Sequence, residues 1–420
     1  AVLIRGKSTT GSTAPLVVVD GVPDDGGWQN INSNDIESVS VLKDASAAIY
    51  GARAANGVIL ITTKRGSKGK PIVSYTFNQG LTQAAVIPKM ASSASFAEYV
   101  NYLQDVAGQA PRFTEAEIQK FRDGSDPINY PNVDWFREVV RPTTPQSQHN
   151  LNVRGGNEDI KYSLSGSFSN QQGMFKNGSH NFKTYTVRSN MDIKVNEYIK
   201  VGLDLNGGLN NGNYPAYSTS TIFGNMKQVP YIPVYWANGL PSPGIEQGEN
   251  PAIMATDATG NNNDTYQRLM GKASIDIAIP FVKGLGVDGY FAYNDLGRTI
   301  KNWQTPWTVY SYTASTDTYT PIGGGRINAP QLTQSLRTIK TSLVNVRIKY
   351  DTDLGDSRIG AFIAGEQSRT DTSFFQAFRQ GYLSPALDEL FAGGLTNQQT
   401  TGYSAVNTRN NLFGRLSYGY

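Results

Sequence analysis

The side chains able to do covalent chemistry are few. The 420 residues include no cysteine, which removes disulfides, Cys-ligated zinc and thiol catalysis, and the two histidines, His149 and His180, leave little for a metal site or a His-based triad. Neither a Ser nucleophile elbow nor a phosphate-binding loop is present. The run Asp351-Thr352-Asp353-Leu354-Gly355-Asp356 has a spacing faintly similar to a calcium loop but lacks its distal Glu, so it reads as a polar turn. Nothing places two carboxylates about 5 to 10 Å apart across a cleft, as glycoside hydrolysis requires. No catalytic residue, metal or cofactor is implied, and the chain reads as a non-enzyme.

What remains is binding chemistry. The stretch Asp24-Asp25-Gly26-Gly27-Trp28 is flexible in its middle and ends in an indole that can stack on a sugar ring or another apolar ligand face. Tyr231, Tyr235, Trp236, Trp303, Trp307, Tyr310 and Tyr312 fall in long connections, where exposed aromatics often form recognition surfaces and otherwise pack against a rim. Asp24, Asp25, Trp28, Tyr231, Tyr235, Trp236, Trp303 and Trp307 are therefore the ligand-binding candidates.

The elements that must hold these residues are extended. There are 43 Gly, 23 Tyr and 17 Phe against 17% charged residues, a balance that favours alternating, turn-rich β structure. No window approaches the roughly 20 apolar residues of a membrane-spanning helix. The net charge of +3 is small and its Lys and Arg are dispersed, so nucleic acid is not an implied partner.

Residues 1–66 form one unit: runs at Leu16–Val19, Ile36–Leu42 and Val58–Thr63, turned by Asp20-Gly21 and Asn56-Gly57, with a short helix from Ala45 to Tyr50 capped by Asp44 and closed by Gly51. From residue 67 onward the pattern is strict alternation. Tyr162, Leu164, Gly166 and Phe168 share one face, predicted to meet lipid, while Ser163, Ser165 and Ser167 share the other, predicted to meet the lumen. Connections alternate between short turns and long loops at 88–146, 214–265, 303–332 and 368–407, the layout of outer-membrane barrels, and give about ten strands. The fold class is mainly β, a transmembrane antiparallel barrel with a small α+β domain. A soluble β-sandwich shares the alternation but not the aromatics placed at strand ends.

The segment Pro15 to Pro23, followed by Asp35-Ile36-Glu37-Ser38-Val39-Ser40-Val41-Leu42-Lys43-Asp44-Ala45-Ser46 and on to Ala54-Ala55-Asn56-Gly57-Val58-Ile59-Leu60-Ile61, resembles the plug of TonB-dependent transporters. Leu42-Lys43-Asp44-Ala45-Ser46 is similar to the SusC/RagA branch in particular, and Asn411-Leu412-Phe413-Gly414-Arg415-Leu416 matches its strand pattern more weakly.

The resemblance implies the later part of a plug and the first part of a barrel of about 22 strands, in the outer membrane of a Gram-negative bacterium. It implies plug-to-barrel contacts by Arg5, Lys43, Asp44 and Arg53. It further implies import of oligosaccharide or peptide ligands, a SusD-like lipoprotein lid, and energy from TonB with ExbB and ExbD. A lid-free siderophore or cobalamin receptor and a non-transport carbohydrate-binding β-protein are the alternatives.

Overall fold

The computed structural model describes residues 4, 13–24, 31–43, 50–51, 54–178, 180–245, 248–355 and 357–419. Its first unit is a four-stranded sheet of β1 (Leu16–Val19), β2 (Val22–Asp24), β3 (Ile36–Leu42) and β4 (Val58–Thr63), in the order β2-β1-β4-β3. The uninterrupted apolar run of β1 is explained by its place, paired parallel to β4 and antiparallel to β2, with cover on both faces. One face packs Leu16 and Val18 on Ala54 and Val58, and the other packs Val17 and Val19 on Ile59 and Ile61. The helix expected at 45–50 lies outside the described residues, apart from Tyr50.

The second unit is a wall of ten strands. These are β5 (Gly69–Thr82), β6 (Thr144–Gly156), β7 (Ile160–Gln172), β8 (Asn181–Lys194), β9 (Ile199–Pro215), β10 (Gly260–Ala278), β11 (Leu285–Gln304), β14 (Gln331–Leu354), β15 (Ser357–Gln380) and β16 (Gln399–Gly419). Each pairs antiparallel with its neighbour, and β12 (Trp307–Thr313) and β13 (Thr318–Gly324) make a separate hairpin in one long loop. Among the described residues β5 pairs only with β6, and β16 only with β15. Unpaired edges are not tolerated in hydrocarbon, so both require further strands in the assembled wall.

Alternation stops being legible before the strands do. On β14 the outward residues Val344, Val346, Ile348 and Tyr350 are all exposed, and the next outward position beyond Ser342 is Lys340. The same change occurs at Gln267 on β10 and Asp295 on β11. An apolar stretch of about nine residues spans about 30 Å along a strand, or a little over 20 Å of membrane at the usual tilt. Beyond it the outward face turns polar while the hydrogen-bond ladder continues for up to a dozen residues. This corrects the loop expected at 368–407: β15 runs to Gln380 and β16 resumes at Gln399. The loops also fold. Trp135, Phe136, Phe175, Ile222, Met254 and Trp307, drawn from four connections, share one buried core.

Leu164 points outward at 49% exposure, whereas Ser163 and Ser165 point inward and are buried, Ser165 beside Asp35 of the first unit. That part of the inner face meets the plug and not open water. Leu164→Arg should therefore cost about 2 to 4 kcal/mol near the membrane midplane. Ser274→Arg, on the inner face beside a cavity, should be tolerated. Comparing the amount of heat-modifiable assembled protein for the two variants checks this, and equal tolerance contradicts the outward facing of Leu164.

Candidate functional site

The plug is held to the wall mainly by charge, and the holding begins at its first turn. Asp20 and Gly21 both adopt positive φ, +48° and +83°, which a two-residue hairpin loop requires and which Asp and Gly tolerate. The Asp20 carboxylate accepts hydrogen bonds from the Thr63 backbone N–H at 2.9 Å and the Thr63 hydroxyl at 2.7 Å, tying the hairpin to the end of β4. The same carboxylate faces the Arg188 guanidinium of β8 at 3.6 Å, with Asp35 on the other side of that arginine at 4.0 Å. All three side chains are buried. Burial pushes the Asp35 carboxyl above the usual carboxylate range, with Ser165 and the charges of Arg188 and Lys64 pulling it back.

Further contacts surround this one. Lys272 of β10 donates to the Asp20 carbonyl at 2.6 Å, and the Tyr290 hydroxyl of β11 donates to the Gly21 carbonyl at 3.2 Å. Higher on β10, Arg268 donates to Asp24 at 3.0 Å and to Asn294 at 2.8 Å, with both members of the ion pair buried. Where the chain leaves β4, Arg65 donates to Asp192 at 2.8 Å and Asp204 at 2.9 Å, and Asn190 donates to the Thr63 hydroxyl and the Lys64 carbonyl. Gly66 has no room for a side chain, since a Cβ there would lie 2.3 Å from the Tyr162 backbone nitrogen. One apolar contact joins the set, Val22 against Ala292 and Leu343.

Such an interface can be strong and still reversible. Removing one partner of a buried ion pair costs about 3 to 5 kcal/mol, yet the intact pair is nearly neutral against the hydrated separated state, because desolvation offsets attraction. Below the hairpin, toward the short-turn end, lies a cavity of about 790 Å³ lined by Gly21, Pro23, Tyr50, Asp288, Arg347 and Glu366. Its wall charges are matched: Arg347 with Asp288 at 3.0 Å, Lys349 with Asp276 at 2.6 Å, and Arg409 with Glu366 at 3.5 Å.

The residues singled out from sequence are dispersed. Asp24 is engaged with Arg268. Asp25, Trp28, Arg5, Asp44 and Arg53 lie outside the described residues, and Lys43 is an exposed residue just past β3. Trp303 packs edge-on to Tyr382 at 4.7 Å, Trp307 sits in the loop core, and Tyr231 joins Phe96, Phe113 and Phe121. Trp236 gathers Tyr312 and Tyr319, and Tyr235 is 41% exposed. Sequence reasoning gave Asp20 only a turn's role and missed Arg65, Arg188, Asp204, Arg268 and Lys272. Their available signal was a charge on the inward face of an alternating strand, which does not say which strands meet the plug.

Three comparisons bear on this arrangement. Residues 1–58 match the family model described as TonB-dependent Receptor Plug Domain. The chain is 30% identical to TonB-dependent receptor P26 of Formosa agariphila, over 99% of its own length and 40% of that receptor. It is 25% identical to TonB-dependent receptor SusC of Bacteroides thetaiotaomicron, again over 40% of the relative. The solved RagAB peptide importer in its closed-closed state superposes on the whole chain with a TM-score of 0.77, at 22% identity and over 48% of the importer's chain. The chain thus spans about 40% of the curated relatives it matches. A four-stranded plug sheet charge-paired to ten antiparallel wall strands, with these likenesses, supports a TonB-dependent receptor of the SusC/RagA type.

Proposed function

We propose that the protein imports nutrient fragments, oligosaccharide or peptide, across the outer membrane of a Gram-negative bacterium, carrying them unchanged. In this reading TonB, with ExbB and ExbD, draws on the plug from the periplasm, and a SusD-like lipoprotein closes the external mouth over a ligand held between plug and loops. The carrying observation is the polar plug-to-wall contact. Among the described residues, Arg65, Arg188, Arg268 and Lys272 meet Asp20, Asp24, Asp35, Asp192 and Asp204 across a boundary with one small apolar patch. An apolar boundary of that extent would weld the two units, whereas ion pairs can exchange partners for water. The names of the relatives, a SusC receptor and a peptide importer, support the same class of activity.

We propose Asp24, Asp25 and Trp28 of the first unit and Tyr231, Tyr235 and Trp236 of the loops as ligand contacts, with the buried Trp303 and Trp307 supporting the loops that carry them. Lys43, Arg5, Asp44 and Arg53 are proposed as further plug anchors.

These 420 residues contain no cysteine, so paired thiols introduced among them meet none of their own. Thr63→Cys and Asn190→Cys, joined by a short cleavable bis-maleimide, should arrest growth on the native nutrient and release it on cleavage. Undiminished uptake with the plug tethered to β8 rejects plug movement. Deleting the lipoprotein partner should lower uptake more than Trp236→Ala does, because the lid supplies a whole face of the site. Full uptake without any such lipoprotein would favour a lid-free receptor.

A further inference from the structure

One register row of the inner wall carries an arrangement that neither the plug nor the loops require. Tyr266 of β10 pairs with Arg298 of β11, Arg298 with Arg337 of β14, Arg337 with Phe374 of β15, and Phe374 with Tyr403 of β16. None of these pairings contains a register shift, so all five side chains share the face that carries Lys272, Asp288, Arg347, Glu366 and Arg409 toward the cavity. The row sits just above the plug, because Arg268, which clasps Asp24, is two residues below Tyr266 on the same face. It also lies outside the lipid band, which ends near Gln267 and Asp295.

Two arginines directly opposite each other repel, and a cross-strand like-charge pair is not a stabilising choice. Arg298 is answered by Asp264 with two hydrogen bonds, at 2.9 and 2.6 Å. Arg337 is exposed and has neither ion pair nor hydrogen bond among the described residues. One guanidinium group of the two therefore has a carboxylate partner and the other has none among the described residues, and aromatic rings flank the pair on both sides. Phe374 and Tyr403 lie with ring centroids 5.6 Å apart, and Tyr403 is 52% exposed.

We infer that this row is a binding subsite for an acidic oligosaccharide. Its sugar rings would lie against Tyr266, Phe374 and Tyr403, and a carboxylate or sulfate group would bridge Arg337 and Arg298. Planar guanidinium groups take both oxygens of such an anion, and aromatic faces take the C–H faces of sugars. An extended peptide is disfavoured because the wall strands β10, β11, β14 and β15 that carry the row are each paired on both sides, leaving side-chain recognition there. The inference rests on the import reading and narrows it to a substrate class. Its position over the Asp24–Arg268 clasp puts the bound ligand beside the contact that holds the end of β2.

The test is calorimetric titration of the full receptor in detergent with hexamers of galacturonate and mannuronate, a sulfated galactan hexamer, maltohexaose and hexaglutamate. At least one acidic sugar should bind more tightly than maltohexaose and hexaglutamate. Arg337→Gln should weaken that binding about tenfold or more and flatten its salt dependence. Arg337→Lys should restore part of the affinity, since the charge returns without the planar fork. Arg337 is exposed, so loss of fold does not confound the result, and an unchanged melting temperature confirms this. A preference for maltohexaose or hexaglutamate, no binding of any acidic hexamer, or acidic binding indifferent to Arg337→Gln would overturn the assignment. None of these outcomes touches the tether and lid experiments, which decide import separately.

Discussion

A buried carboxylate must find a cation or lose its charge, and that constraint organises the contact between the two units. Asp20, Asp24 and Asp35 are carried on the plug sheet where little water reaches them. Arg188, Arg268 and Lys272 stand on neighbouring inner-wall strands at the heights where those groups arrive. The plug is thereby fixed in orientation. A hairpin rotated about the wall axis would leave three carboxylates and several guanidinium groups buried without partners, each at a cost of several kcal/mol.

The same constraint makes the contact releasable. Ion pairs lose little when both halves become hydrated together, but much when only one half is removed, so the plug resists small fluctuations and yields to a concerted displacement. Thr63 has a special place here. Its backbone and hydroxyl hold Asp20 while Asn190 of the wall donates to the same hydroxyl, so the turn, the end of β4 and β8 share one hydrogen-bonded cluster. The cavity below the hairpin lies next to this cluster, and the ion pairs on its wall keep it polar.

How much of this could be read beforehand depended on what a residue's partner was. The facing of Leu164 and Ser165 follows from a period of two along one strand and needs no knowledge of neighbours. The β1 run and its Asp20-Gly21 turn are local in the same sense. The upper halves of β14 and β15 were hidden because, outside lipid, both faces of a strand are wet and alternation disappears although the ladder persists. Trp303 and Trp307 show the opposite failure. Both look like exposed loop aromatics in sequence, yet four loops fold together and bury Trp307 in a common core, while Trp303 packs on Leu332 and Tyr382. Asp20 and Arg188 are 168 positions apart, and no local pattern ties them.

If mutually dependent buried charges hold the plug, a double-mutant cycle on Asp24 and Arg268 reveals it. The quantity measured is the urea concentration at which the full receptor begins to pass potassium chloride current in a planar bilayer, for Asp24→Leu, Arg268→Met and the pair together. Each single change should release the plug at distinctly lower urea, by the equivalent of roughly 3 to 5 kcal/mol, because it strands a buried charge. The double change should recover most of that loss. If instead the two losses simply add, or neither single change loosens the plug, the charges are not what holds it.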